Sequence, residues 1–281
     1  MAANLEGRVC IVTGPTSGIG KETARGLARM GASVILACRD MEKGEVVRRE
    51  IAADAGKSYL EVMKLDLAEQ SSIRGFAAEF QKTHPRLHVL INNAGISALK
   101  RRLTPDGVES QFAVNVLGPF LLTNLLLGTL KDSGPARIIN VGSAAHAGGH
   151  VDFDNLQGER EFRSFRSYSN SKLGLLLITY ELARRLQGTG VTVNCVHPGV
   201  IRSNLGGDDI PGALTFFKLF LRGPVAGAQP SLRLASAPEL EGVTGKYFHK
   251  LNEARSAPES YDTAAAKRLW DVAARLTKLD M

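Results

Sequence analysis

Short apolar runs rich in β-branched residues alternate along this chain with longer stretches of helical period. Val9–Val12, Val34–Ala37, Tyr59–Lys64, Val89–Ile91, Ile138–Val141 and Val191–Val196 read as strands, with a short one near Lys246–Phe248. Gly20–Met30, Met41–Ala53, Ser72–Gln81, about 107–127, Tyr168–Gln187, about 225–234 and Thr263–Thr277 read as helices. The strand runs are continuously apolar, as in sheets covered on both faces. Strand–helix alternation implies parallel pairing through right-handed crossovers. No linker, repeat or low-complexity segment interrupts the pattern, so one α/β domain over residues 1–281 is expected.

Composition narrows the picture modestly. Apolar residues make up 44% of the 281, enough for a substantial core, and charged residues 22%, an ordinary value for a folded domain. The net charge of +7 comes from scattered basic residues not interleaved with aromatics, so nucleic acid is not an expected partner. Cys10, Cys38 and Cys195 each sit in an apolar run without metal spacing. They read as buried thiols in a reducing compartment, and the expected location is cytoplasmic. The N-terminus has no signal-peptide order, and no run of about 18 uncharged apolar residues predicts a membrane span.

The first candidate chemistry lies at Thr13-Gly14-Pro15-Thr16-Ser17-Gly18-Ile19-Gly20, between a strand and a helix. Glycines there let the backbone approach a phosphate, and the helix N-terminus offers free N–H groups. The spacing differs from the common GxGxxG fingerprint. At the end of the second strand, Cys38 stands in the usual acidic slot and Arg39 follows it. An acid would bind both ribose hydroxyls and repel a 2′-phosphate, whereas a guanidinium can pair with that phosphate. NADP(H) is therefore expected over NAD(H), which stays possible because Asp40 follows. Asp66, with Leu67 after it, either accepts from an adenine amino group or serves as a loop or N-cap residue.

The second candidate is Tyr168-Ser169-Asn170-Ser171-Lys172. The i, i+4 spacing puts phenol and ammonium on one helical face. A phenol titrates near 10, too high for proton transfer at neutral pH, and an adjacent ammonium favours the phenolate. A tuned proton donor beside a dinucleotide suggests hydride chemistry, which needs no metal. His146 and His150 would share a face only in a helix, and Gly148-Gly149 argue against one.

With Asn92-Asn93-Ala94-Gly95, Asn115, Ser143 and Pro198-Gly199 added in order, the chain resembles the short-chain dehydrogenase/reductases over nearly its whole length. Ala37–Asp40, Val151–Leu156, Glu181–Gly190 and Val196–Val200 make it most similar to the retinol dehydrogenase-like branch. The resemblance implies a doubly wound parallel sheet of Rossmann type. It also implies roles: Tyr168 as general acid/base, Lys172 on the nicotinamide ribose, Ser143 on the substrate oxygen, and Asn115 holding Lys172 through a water and a helix distortion. Asn93, Ala94 and Gly95 would border the adenosine ribose. Pro198, Gly199 and Ser203 would face the nicotinamide. Gly142 stands where relatives often carry Ser, and Ser203 where Thr is common.

The apolar stretch Ile210–Leu221 reads as a lid, within about 204–224, over a small hydrophobic substrate. A permanently packed helix and a peripheral membrane contact are its alternatives. The expected activity is interconversion of apolar alcohols with aldehydes or ketones. A protochlorophyllide-type pigment reductase and a catalytically idle NADP(H)-sensing protein are the competing readings. A homodimer through the Asn115 and Tyr168 helices is expected over a monomer, although the stretch between Ser143 and Tyr168 could cover that surface.

Overall fold

The computed structural model describes residues 4–56, 58–200 and 223–279. Eight strands form one sheet: β1 (Val9–Thr13), β2 (Ser33–Cys38), β3 (Leu60–Lys64), β4 (Val89–Asn92), β5 (Ala136–Val141), β6 (Val191–His197), β7 (Tyr247–His249) and β8 (Asn252–Ala254). Their order is 3-2-1-4-5-6-7-8, and every pairing is parallel except β7 with β8.

Alternating side chains of each strand feed two cores. Cys10 and Val12 join Leu27 of α1 (Gly18–Arg29), Val47 of α2 (Met41–Ala55) and Leu232 of α8 (Pro224–Ser236) on one face. Ile11 joins the opposite core, with Phe76 of α3 (Gln70–Thr83), Phe120 of α5 (Gly118–Leu125), Leu177 of α7 (Ser164–Arg185) and Trp270 of α9 (Thr263–Leu276). This two-sided burial is why the strand runs lack polar alternation.

The winding reverses between β1 and β4, which opens the crevice where doubly wound sheets hold ligands. Register pairs Thr13 with Ala37, Asn92 with Asn140, and Val141 with Val196. The turns after these strands therefore emerge along one sheet edge. A buried amide ladder fixes the levels. Asn92 Nδ2 donates to Asn140 Oδ1 (2.8 Å) and Thr123 Oγ1 (3.1 Å), and Asn140 Nδ2 donates to Thr179 Oγ1 (2.8 Å).

Two expectations changed. The helix read over about 107–127 begins at α4 (Ser110–Phe112), passes through a π turn at Ala113–Leu117 into α5, and bends at Leu126 into α6 (Leu127–Ser133). Pro119 has no N–H for the Asn115 carbonyl, and Gly118 N–H bonds back to Ala113 O, so the wider turn is favoured there. Strand β8 carries exposed polar residues and shows no strand pattern in sequence; it forms as the antiparallel edge of a hairpin with β7.

The outer side of α5 and α7 is covered within the chain. Trp270 meets Phe120 edge-to-face at 4.8 Å, Arg185 lies over the Trp270 ring, and Val151, Phe153 and Leu156 pack on the same core. An edge-to-face pair adds about 0.5–1.5 kcal/mol beyond its buried area. Among the described residues no single helix is long and apolar enough to cross a membrane.

Candidate active site

The turn between β1 and α1 is tight for reasons its glycines make plain. Gly14 and Gly18 have φ of 64° and 56°, the left-handed region. A Cβ on Gly20 would overlap the Gly14 carbonyl oxygen and Asn93 Nδ2. Asn93 Nδ2 donates to Thr13 O (2.8 Å) and Gly14 O (3.2 Å), and the Asn93 and Ala94 N–H groups both donate to Thr13 Oγ1 at 3.0 Å. Asn93 and Ala94 thus fasten the glycine turn to β4. Ser17 sits at the N-cap of α1 in extended conformation, but its hydroxyl makes no cap bond, so it is available beside the first N–H groups of the helix. Thr16 lies in the same turn, and Ile19 in the first turn of α1. These features fit the phosphates of a dinucleotide.

At the next strand end, Asp40 is engaged locally. Its carboxylate accepts from the Lys43 N–H (3.0 Å), pairs with Lys43 Nζ (3.1 Å), and is held below the usual aspartate range by those contacts. Arg39 is exposed and forms no ion pair with a described residue. The acid that tempered the cofactor reading is thus turned into a helix cap. Asp66 Oδ1 accepts from Ala68 N–H (2.9 Å), the loop role of its two alternatives; its other oxygen has no described partner. Leu67 is 7% exposed, and its side chain belongs to the core.

On the far side of the crevice, the π turn presents Asn115, which is 1% exposed. Its Nδ2 donates to Ile96 O and Ser171 Oγ, both 2.9 Å, while its Oδ1 accepts from Ile96 N–H at 2.9 Å. Ser171 Oγ in turn donates to Tyr168 O at 2.7 Å. Asn115 therefore ties the loop after β4 to α7. Lys172, 4% exposed, donates from Nζ to Val141 O at 3.0 Å and lies 5.7 Å from the Tyr168 ring centroid. A Cβ on Gly95 would sit 3.3 Å from that Nζ. Ser143 caps a 3-10 turn at Ala144–Gly148; its Oγ accepts from Ala145 N–H at 3.2 Å, leaving the hydroxyl proton free to donate.

The departure at Gly142 has a structural reason. A Cβ there would stand 2.6 Å from Cys195 Sγ on the adjacent strand. The thiol fills the space a residue-142 side chain would need. Gly142→Ser is expected to cost about 1–3 kcal/mol by overpacking. Adding Cys195→Ala should recover part of it, a coupling of about 0.5–3 kcal/mol in urea titrations; strictly additive losses would refute the pairing.

Pro198 and Gly199 follow β6, and Gly199 takes φ of 97°. Ser203 and Ile210–Leu221 lie outside the described residues. His197, 6% exposed, has an Nδ1 with no described partner, and burial, then His249, His146 and Lys250, push its pKa down to about 4. Between about pH 6.5 and 4 the unfolded chain then binds more protons than the folded one. Stability is complete above that window and falls as pH drops through it, by up to ~3 kcal/mol from this group. Denaturation midpoints from pH 7 to 4.5 should fall less steeply in His197→Asn; parallel curves would show that His197 carries none of the slope.

Two residues were missed in the sequence. Ser171 is visible only as a hydroxyl inside the Tyr–Lys spacing. His146 stands out in sequence only through its spacing to His150, whereas it is buried and turned inward, and His150 is exposed and pairs with Glu259. Among the described residues no three His, Cys, Asp or Glu side chains converge as a metal site requires.

A glycine turn on β1, an ordered Asn–Ser–Tyr–Lys set and a 3-2-1-4-5-6-7 parallel order define a dinucleotide-dependent oxidoreductase of short-chain type. The family model for short chain dehydrogenase matches residues 8–211, and the chain belongs to that family. Within it, the chain falls in the retinol dehydrogenase-like branch. It is 48% identical to human retinol dehydrogenase 13, over 99% of this chain and 87% of that protein. It is 46% identical to human retinol dehydrogenase 11, over 98% and 87%. Among solved structures, a putative uncharacterized protein from Mycobacterium Paratuberculosis matches with TM-score 0.81 and 34% identity over 98% and 95% of the two chains. The Pseudomonas aeruginosa RhlG/NADP active-site complex matches with TM-score 0.71 and 27% identity over 88% and 95%.

Proposed function

We propose that this chain is an NADP(H)-dependent oxidoreductase that interconverts small apolar alcohols with aldehydes or ketones, with Tyr168 as general acid/base. The observation that carries the reading is Lys172 Nζ held on the Val141 carbonyl at the carboxyl end of β5, just before Ser143, and 5.7 Å from the Tyr168 ring centroid. Bound nicotinamide supplies or accepts the hydride. The rest is done by side chains. The Ser143 hydroxyl donates a hydrogen bond to the substrate oxygen, and Tyr168 passes the one proton to that oxygen in reduction, or takes it in oxidation. Lys172, fixed by the Val141 carbonyl, stabilises charge left on the phenol oxygen. Asn115 keeps the loop after β4 and the first turns of α7 in register. Two donors aimed at one oxygen contribute a few kcal/mol each where negative charge develops.

The names of the relatives make retinal and retinol the first substrates to try. Burial pushes Cys10 and Cys195 up to about 12 and Cys38 to about 11, inert thiols that suit a reducing compartment such as the cytoplasm. The test is a panel of apolar aldehydes, ketones and alcohols, retinoids included, with both nucleotides in both redox states. NADPH binding with no turnover across the panel would favour the idle nucleotide sensor.

Arg39→Ala should raise KM for NADPH about 10- to 100-fold, the worth of a charge-assisted bond to phosphate, and leave NADH nearly unchanged. Equal losses with both nucleotides would remove Arg39 from 2′-phosphate recognition.

A further inference from the structure

Directly after Ser143, the 3-10 turn carries a histidine that the chemistry above does not use. His146 is 4% exposed. Its Nε2 accepts the Ala257 N–H at 3.1 Å. The ring proton must then sit on Nδ1, which donates to the Ser143 carbonyl oxygen at 2.6 Å. Burial favours this neutral form, holding the ring below the usual histidine range. The ring also meets Tyr247 of β7 edge-on at 4.9 Å. On its other side, the segment it grips is anchored to the helix that bears Tyr168. Ser256 Oγ and Tyr180 OH lie 2.7 Å apart, Ser256 Oγ and Ser260 Oγ 2.6 Å apart, and Ser256 N–H donates to Tyr261 OH. A chain of contacts thus runs from the Ser143 backbone through His146 and the residue 256–261 segment to α7.

We infer that His146 is a positioning residue: its imidazole clamps the Ser143 carbonyl and so fixes where the Ser143 hydroxyl points relative to Tyr168. The inference rests on the reading of Ser143 as a donor to the substrate oxygen. The Ser143 carbonyl also accepts the His146 backbone N–H at 3.2 Å, and the imidazole is the side-chain grip that reinforces it; the hydroxyl's own described contact is the Ala145 N–H, so backbone rotation at residue 143 would re-aim it. The two functions of the ring can be separated. Asn at 146 puts an amide donor at the Nδ1 level and keeps the Ser143 bond. Gln puts its acceptor at the Nε2 level and keeps the Ala257 bond.

The experiment measures kcat and KM for octanal reduction with NADPH, NADPH binding by fluorescence, and melting temperature for His146→Asn, His146→Gln and Ser143→Ala. His146→Asn should stay within about threefold of the parent in kcat. His146→Gln should lose about 10- to 100-fold in kcat, the effect of a misplaced group, with KM and NADPH binding within about threefold. His146→Phe, which keeps the edge contact on Tyr247, carries the same expectation should the Gln variant not accumulate. Equal kcat in the Asn and Gln variants, or recovery of Gln and Phe proteins only as insoluble material, overturns the inference and makes His146 a folding residue. Ser143→Ala at full activity would instead overturn the reading of Ser143, a result the His146 variants do not mimic.

Discussion

Tyr168→Phe should reduce turnover with any carbonyl or alcohol substrate by about 10² to 10⁴ while NADP(H) binding survives. The phenol is half-buried at the second turn of α7, with its ring near Lys172 Nζ, so removing the hydroxyl leaves the helix and the Lys172–Val141 contact in place. The two hydroxyls between Tyr168 and Lys172 do not replace it: Ser171 Oγ is committed to Tyr168 O and Asn115 Nδ2, and Ser169 is buried. The split between lost kcat and retained nucleotide affinity identifies a proton-transfer group rather than a structural one. Measurement by stopped-flow reduction and NADPH fluorescence titration decides it. Turnover within tenfold of the parent would remove Tyr168 from the chemistry, and loss of nucleotide affinity in step with kcat would make it a binding residue.

Gly20→Ala should be the most damaging Gly→Ala change among the described glycines. The new Cβ would overlap two atoms that belong to one device, the Gly14 carbonyl and the Asn93 amide that donates to it. Neither can yield freely, because Asn93 also holds Thr13 and Gly14 is in the left-handed region. Overpacking of this kind costs about 1–3 kcal/mol. The shifted turn carries the phosphate-facing N–H groups, so NADP(H) affinity is expected to fall by more than tenfold, at about 1.4 kcal/mol per decade. Gly128→Ala is the control: it lies exposed in α6 with open space around its Cβ position, and should be neutral or slightly stabilising. Calorimetric titration with NADPH checks both. Parent-like affinity in Gly20→Ala would show that the turn tolerates a side chain and is not close-packed against a dinucleotide.

Local order made most of this architecture legible. Strands buried on both faces need apolar runs, and β1, β2, β4, β5 and β6 advertise themselves that way, whereas the edge strand β3 is only half-buried. A phosphate turn needs glycines between a strand and a helix, and a tyrosine four residues before a lysine needs only helical spacing to face it. The family and branch followed from those motifs in order. The edge strand β8 stayed invisible because its polar residues pair only through a neighbour that exists once the sheet has formed.

What the amino-acid order determined by itself was the alternation, the parallel sheet, the glycine turn and the Tyr168–Lys172 spacing, because each depends on neighbours within a few residues. What only the tertiary structure decided was how those residues are held. Cys195 explains Gly142, and His146 reaches Ala257 across 111 residues of chain. Those contacts join positions far apart in sequence, and no spacing rule encodes a hydrogen bond whose partners meet only after the sheet edge has brought them together.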